Sequence, residues 1–292
     1  MPERPPLAGR TALLLRSADR AAPTIAELAA RGAATLLCPV IDFELPEDTG
    51  ALDDGIRRLA DGGFDWLVVT SRTTLLALSH RAVALGLMTD GQAPLPVATD
   101  TRVAVVGEAT AAASAAAGLR VDVVPAHDHS ARGMLAEWPH ELRPAGGTTA
   151  FMPQADIASP TLARGLRAWG ADPVVATAYR TVDAPARPDR VLRAPHGGTP
   201  EPDLVPADLA AAHGAPQGID VVLFTSPSIV RRYLALAGPP PPGLMAIAIG
   251  DPTATELHDH GWEPAATATM PTPAGLADAW ERALHGAGPA GG

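Results

Sequence analysis

The chain has 292 residues, 47% of them hydrophobic, with a net charge of −10 and a pI near 5.3. That allows two ordinary domains with real cores and argues against a general nucleic-acid or membrane-surface binder. A single cysteine, Cys38, excludes an internal disulfide and any cysteine-built metal site, and the absence of lysine excludes Schiff-base chemistry and a Walker-type phosphate lysine.

In chain order, Thr11 to Leu15 reads as a short strand, Pro23 to Arg31 as an amphipathic helix closed by Gly32, and Thr35 to Val40 as a strand running on through Phe43. Trp66 to Val69 is a strand; Thr70-Ser71 then supplies helix-capping residues for a helix to about Ala84. Val103 to Val106 is a strand ending at Gly107, where a helix opens with Thr110 in its first turn. A strand near Thr149 to Met152, a helix from Ser159 to Trp169 and an extended stretch to Thr181 follow. Pro185 to Gly218 is rich in Pro, Ala and Gly and reads as a mobile insertion around an apolar patch at Val205 to Ala211. Val221 to Phe224 leads into Thr225-Ser226-Pro227, a cap with proline at the first helical position; Met245 to Ile249 leads into Gly250 and a helix carrying Thr253. The tail after Leu284 is expected to be disordered. No segment reaches the roughly 18 apolar residues of a membrane span, and MPERPPLAGR lacks a signal-peptide core, so a cytoplasmic location is expected.

These elements are written twice. Leu13 to Phe43 matches Ala150 to Thr181, Asp65 to Leu76 matches Asp220 to Val230, and Val103 to Trp138 matches Ala246 to Trp280. Three blocks in the same order imply two similar α/β lobes with parallel sheets flanked by helices, and a cleft between them. Ligands of such sheets bind outside the carboxyl ends of the strands. Those ends here are Arg16-Ser17, Thr70-Ser71-Arg72, Gly107-Glu108, Pro153-Gln154, Thr225-Ser226 and Gly250-Asp251. Most carry hydroxyls or glycine at helix N-termini, where free N–H groups and the helix dipole favour an anion. The set suits a ligand with several carboxylates or phosphates.

Other candidates are weaker. His127-Asp128-His129 has the look of a metal cluster, yet it corresponds to Thr269-Met270-Pro271 in the other copy and reads as a surface loop. Cys38 reads as a packed thiol, and His258 with His260 as solvated. Tyr179, one of two tyrosines, lies in an extended segment that must pass between the lobes; packing and chemistry are both open to it.

The ordered pieces ALLLRSA, TLLCPVIDFE, DWLVVTS, VAVVGEATA, PVVATAYRT, IDVVLFTSPS, AIAIGDPTATEL and PTPAGLADAW resemble the uroporphyrinogen-III synthase family over nearly the whole length. The resemblance implies two discontinuous lobes, residues 1–40 plus 183–292 (with 185–218 the mobile insertion) and 41–182, joined by a two-stranded extended linker. It implies cyclisation of hydroxymethylbilane to uroporphyrinogen III with ring D inverted and water lost, without cofactor or metal, by a cytoplasmic monomer whose partner is a substrate of eight carboxylates rather than nucleic acid or membrane. Tyr179 matches the family tyrosine that assists departure of the hydroxyl. Ser226, Ser228 and Thr253 match substrate-binding turn residues, with Thr70, Ser71, Gly107 and Thr110 their equivalents in the other lobe; Arg16 could supply charge. Gln154 with Ala155 stands where relatives often carry Arg-Gly, and GDPTA has one threonine where many have two. These departures leave open a relative acting on a different anionic small molecule, and a two-lobed binding protein is a further alternative.

Overall fold

Pro39 divides what the sequence presents as one extended run, because it has no N–H to give a neighbouring strand. The structure, a computed structural model, describes residues 5–89, 91, 94–193, 209 and 218–286. Its first elements are β1 (Thr11–Leu14), α1 (Ala18–Ala30), β2 (Ala34–Leu37), β3 (Ile41–Glu44), α2 (Gly50–Ala60), β4 (Trp66–Val69) and α3 (Arg72–Ala84). Then come β5 (Arg102–Val105), α4 (Glu108–Ala116), α5 (Ala131–Glu137), β6 (Thr149–Ala155), α6 (Thr161–Ala168) and β7 (Asp172–Asp183). The last are β8 (Val221–Phe224), α7 (Pro227–Ala237), β9 (Met245–Ala248), α8 (Asp251–Asp259), β10 (Ala266–Thr267) and α9 (Pro273–Gly286). No helix among the described residues is long and apolar enough to cross a membrane.

The chain divides into two units: Met1–Asp42 with Asp183–Pro185 and His196–Gly292, and Phe43–Val182 with Ala186–Pro195. The first holds a parallel sheet of order β10-β9-β8-β1-β2. The second holds the order β3-β7-β6-β4-β5, parallel from β7 through β5. Fully apolar strands such as β4 (WLVV) and β8 (VVLF) are buried throughout, as sheets covered by helices on both faces require. In the first unit Trp280, Leu28 and Leu223 pack on one face, and Phe224, Tyr233 and Trp262 on the other. The second unit stacks Phe64 on Phe151 on one side and packs Trp138 edge-on against Trp66 on the other.

Three expectations need correction. Helix α1 starts at Ala18, five residues before Pro23, because the Ser17 carbonyl accepts from the N–H of Arg20 and Ala21 and opens the first turn. Residues 186–193, expected to belong to a mobile insertion, instead pack on the second unit. Ala186 and Leu192 are buried, and Leu192 donates its N–H to the Phe43 carbonyl at 2.9 Å. Of the rest of that stretch, Leu209 is buried among Cys38, Ile219 and Phe224, and 194–208 and 210–217 lie outside the described residues. Helix α9 runs past Leu284 to Gly286, with Leu284 packed on the core; residues 287–292 lie outside the described residues.

The repeat survives in detail. The isolated parallel bridge Ala104↔Val123 stands where β10 stands beside β9. Helices α5 and α9 open in the same way: Ser130 Oγ accepts from Gly133 N–H and Thr272 Oγ1 from Gly275 N–H, both at 3.1 Å. A Cβ at Gly133 would lie 1.9 Å from the Asp128 carbonyl oxygen, and one at Gly275 2.1 Å from that of Met270. Neither loop could close over a side chain.

Each unit also has its own ionic brace. In the first, the Arg31 guanidinium reaches Glu27 (2.7 Å), Asp278 (2.6 Å) and Glu281 (2.8 Å), fixing α1 to α9. In the second, Arg81 grips both Asp53 oxygens at 2.8 Å and fixes α3 to α2. Burial alone would raise the Asp53 carboxyl, but hydrogen bonds from Arg81 and Thr49 outweigh it and hold the pKa below the usual value.

Gly133→Ala should therefore destabilise the protein by roughly 1–3 kcal/mol in denaturant unfolding, since the clash is with backbone rather than a movable side chain. Because the folded Asp53 carboxyl is depressed, its contribution is complete above the ordinary carboxylate pKa of about 3.9. It is lost as pH falls through the lower folded value. Asp53→Asn should accordingly lower stability at pH 7 more than at pH 3, measured by urea midpoints at the two pH values.

Candidate functional site

In each sheet the connections run one way from one strand and the other way from its neighbour, and the strand exits at that reversal lie side by side. In the first unit the reversal falls between β1 and β8, which pair in parallel with Leu14 level with Leu223. The two strands deliver Arg16 and Thr225 to neighbouring exits. In the second unit it falls between β4 and β6, and the register Leu67↔Phe151 carries Thr70 level with Gln154. The candidate residues thus form two sets, one in each unit.

In the second unit, Ser71 caps α3, its Oγ accepting from Thr74 N–H at 3.1 Å and lying 3.0 Å from Thr74 Oγ1. The same Oγ is 3.1 Å from the hydroxyl of Tyr179, which reaches it from β7. Tyr179 is 7% exposed and rests edge-on against Phe43, with ring centroids 5.6 Å apart. Its backbone is fixed from the next strand exit: Ala155 pairs with it, and Asp156 N–H donates to its carbonyl at 3.0 Å. The register slips between Gln154 and Ala155, so Gln154, half-buried, occupies the irregular end of β6. Gly107 caps α4 at the next exit, and Thr110 sits 7% exposed in that helix's first turn.

The first unit repeats the pattern. Ser226 caps α7, accepting from Ile229 N–H, and its Oγ is 3.0 Å from Ser228 Oγ. Gly250 caps α8, with Thr253 2% exposed in its first turn. A Cβ built on Gly250 would meet nothing within 4 Å among the described residues. The Thr225 hydroxyl, at the reversal itself, is buried without a hydrogen-bond partner among the described residues. Arg16 is half-buried beside it in the order of strands.

Two neighbours of these residues carry little signal in the sequence. Thr74 completes the Ser71 cluster through an i, i+3 relation that looks like ordinary capping. His129, in an exposed loop, sits with its ring against Gly107, a proximity set by tertiary structure: a Cβ on Gly107 would lie 3.2 Å from the His129 Cγ. No group of His, Cys, Asp or Glu side chains able to hold a metal ion occurs among the described residues.

Such a chain is a duplicated, doubly wound α/β protein whose strand exits offer hydroxyls and helix N-termini to an anion. Comparison with known proteins narrows this further. The sequence model described as uroporphyrinogen-III synthase HemD matches residues 22–278. A Synechococcus elongatus protein named uroporphyrinogen-III synthase is 28% identical over 232 residues, covering 79% of this chain and 76% of its own. The fold is shared with a mutant uroporphyrinogen III synthase from Thermus thermophilus (TM-score 0.60, 20% identity, 95% of this chain and 99% of that one). It is shared also with uroporphyrinogen-III synthetase from Helicobacter pylori (TM-score 0.54, 16% identity, 94% and 99%). The chain belongs to the uroporphyrinogen-III synthase family.

An enclosed hydroxyl without a partner destabilises the protein that holds it. Thr225→Val keeps the shape and removes that group, so it should raise the unfolding free energy of the unliganded protein by about 1 kcal/mol in a denaturant titration.

Proposed function

We propose that this chain closes hydroxymethylbilane to uroporphyrinogen III, and that Tyr179 is the acid of the reaction. The terminal hydroxyl takes a proton and leaves as water. The methylene left behind is an electrophile, which ring D attacks through its substituted carbon. The spiro intermediate reopens so that ring D rejoins the macrocycle inverted, and loss of a proton restores the aromatic pyrrole. The net change is one carbon–carbon bond formed at the cost of one water.

Membership of the family supports the reaction. The observation that carries the role of Tyr179 is its hydroxyl, 3.1 Å from Ser71 Oγ at the end of β4. Packing against Phe43 holds the ring in place, so the phenol need not be ordered when substrate arrives. Ser71 can accept from or donate to it, and a hydrogen bond donated by Ser71 would stabilise the phenolate until the proton lost from ring D restores the phenol.

The remaining candidates are assigned to the carboxylates of the substrate. Thr70, Gln154, Gly107 and Thr110 would serve in one unit, and Arg16, Thr225, Ser226, Ser228, Gly250 and Thr253 in the other. The helix N-termini they occupy favour negative charge without a lysine, which the chain lacks. Thr225, with its partnerless hydroxyl, is suited to a carboxylate oxygen that supplies the missing hydrogen bond.

Hydroxymethylbilane generated in the assay should yield predominantly the type III isomer, scored against the spontaneously formed type I product by chromatography of the oxidised porphyrins. Type I alone would sink the assignment. Tyr179→Phe should lower kcat by about 100-fold, the low end of what a positioned general acid contributes, with little change in melting temperature. Unchanged turnover would remove Tyr179 from the chemistry.

A further inference from the structure

Arginines in this chain are as a rule engaged. Arg31 holds three carboxylates, Arg81 holds one, and Arg58 and Arg102 lie over the rings of Phe64 and Trp66. Arg72, Arg132 and Arg164 are not. They are exposed and have no ion pair, side-chain hydrogen bond or ring contact among the described residues. All three belong to the second unit, and each lies within the first four residues of a helix, α3, α5 and α6 respectively.

A helix dipole favours cations at the C-terminal end and opposes them in the first turn, so these positions work against the stability of the helices that carry them. The fold does not ask for them. In the other copy the position of Arg72 is Pro227, and that of Arg164 is Glu27, which pairs with Arg31.

The place of two of them in the sheet is a separate observation. The connections reverse between β4 and β6, where sheets of this class take ligands. Helix α3 leaves β4 and α6 leaves β6, so Arg72 and Arg164 flank the reversal. The two helices cover opposite faces, with Leu75 and Leu78 of α3 in one core and Leu162 and Leu166 of α6 in the other. Side chains in a helix tilt towards its N-terminus, which inclines both stems to the strand exits. Arg72 also directly follows Ser71, whose Oγ lies 3.1 Å from the Tyr179 hydroxyl. Asp156, the acid that follows β6, is turned to β7, its Oδ1 accepting from Thr181 N–H at 3.0 Å. Arg132 stands apart, beyond β5, where exposed Glu108 and Asp128 share its end of the edge.

We propose that Arg72 and Arg164 bind carboxylates of the linear tetrapyrrole from opposite faces of the second sheet, holding it over the β4–β6 reversal beside Tyr179. This rests on the reading of the chain as a uroporphyrinogen-III synthase. It adds side-chain cations to a site otherwise built, in this unit, of hydroxyls, Gln154 and helix N–H groups. A chain of net charge −10 needs such local positive charge to attract a polyanion. It also gives a reason for two arginines that weaken the helices of the unliganded protein.

The test uses the full chain and enzymatically generated hydroxymethylbilane. KM and kcat are measured over a range of salt concentrations, and urea midpoints without substrate, for Arg72→Gln, Arg164→Gln, the double variant, Arg72→Lys and Arg132→Gln. Each single glutamine variant at the reversal should raise KM about twofold at low salt and the double variant about fivefold, as the loss of exposed ion pairs implies, with kcat within about twofold. In the double variant KM should rise less steeply with salt than in the wild type, because fewer charges are left to screen. Its urea midpoint should be no lower than that of the wild type. Arg72→Lys, which keeps the charge, should stay close to the wild-type KM. An unchanged KM in the double variant overturns the proposal, and a lowered urea midpoint beside it makes the two arginines structural. An equal rise in KM in Arg132→Gln overturns it as well, since the effect is then one of net charge. If the wild-type chain makes no type III isomer, the failure lies in the assigned reaction and not in the two arginines.

Discussion

Parallel strand pairing is the constraint from which the rest follows. In each unit it sends the exits of the strands so paired to the same edge of the sheet, so the residues that end β1, β8 and β9, or β6, β4 and β5, have no choice but to be neighbours. The helices that follow begin at that edge and turn their free N–H groups towards it. An edge of this kind attracts negative charge before any side chain is chosen. Net charge of −10 over the chain does not oppose this, because the backbone field acts locally and most carboxylates lie elsewhere or are paired, as Asp53, Glu27 and Asp278 are.

The scaffold does little covalent chemistry and needs little. Departure of the hydroxyl as water and attack by a pyrrole are intrinsic to the substrate, which also closes spontaneously to the type I isomer. A protein that fixes one geometry can therefore direct the outcome with one proton donor. Tyr179, proposed for that role, is held in place by several neighbours. It is paired through Ala155 and bonded through Asp156 at the end of β6, packed on Phe43 of β3 and hydrogen-bonded to Ser71 at the start of α3.

Much of this was legible in the residues. Twofold repetition, the parallel class and the strand exits follow from apolar runs of four residues ending in Gly, Ser or Thr, and the structure places each exit where the repeat requires. What escaped was non-local. Helix α2, GALDDGIRRLA, carries four charged residues and shows its apolar face only against Phe151, which a Cβ on Gly55 would strike. Composition marked residues 186–193 as linker, yet Ala186 and Leu192 found burial through pairing with residues 43–45, more than 140 positions earlier. Likewise the brace between Asp53 and Arg81, and the seat of His129 on Gly107, depend on distances that no spacing in the sequence encodes.

The discontinuous first unit has a consequence for how the protein is made. Strands β1 and β2 leave the ribosome first, but β1 must pair on its other side with β8, and α1 waits for the acids of α9 to meet Arg31. The second unit, Phe43–Val182 with Ala186–Pro195, has all its residues by Pro195 and can close while translation continues. The opening forty residues must therefore stay soluble through the synthesis of some two hundred more, with an unpaired apolar strand exposed. A chaperone that shields TALLL until the last helix emerges would matter more to this protein's yield than one acting on the finished chain.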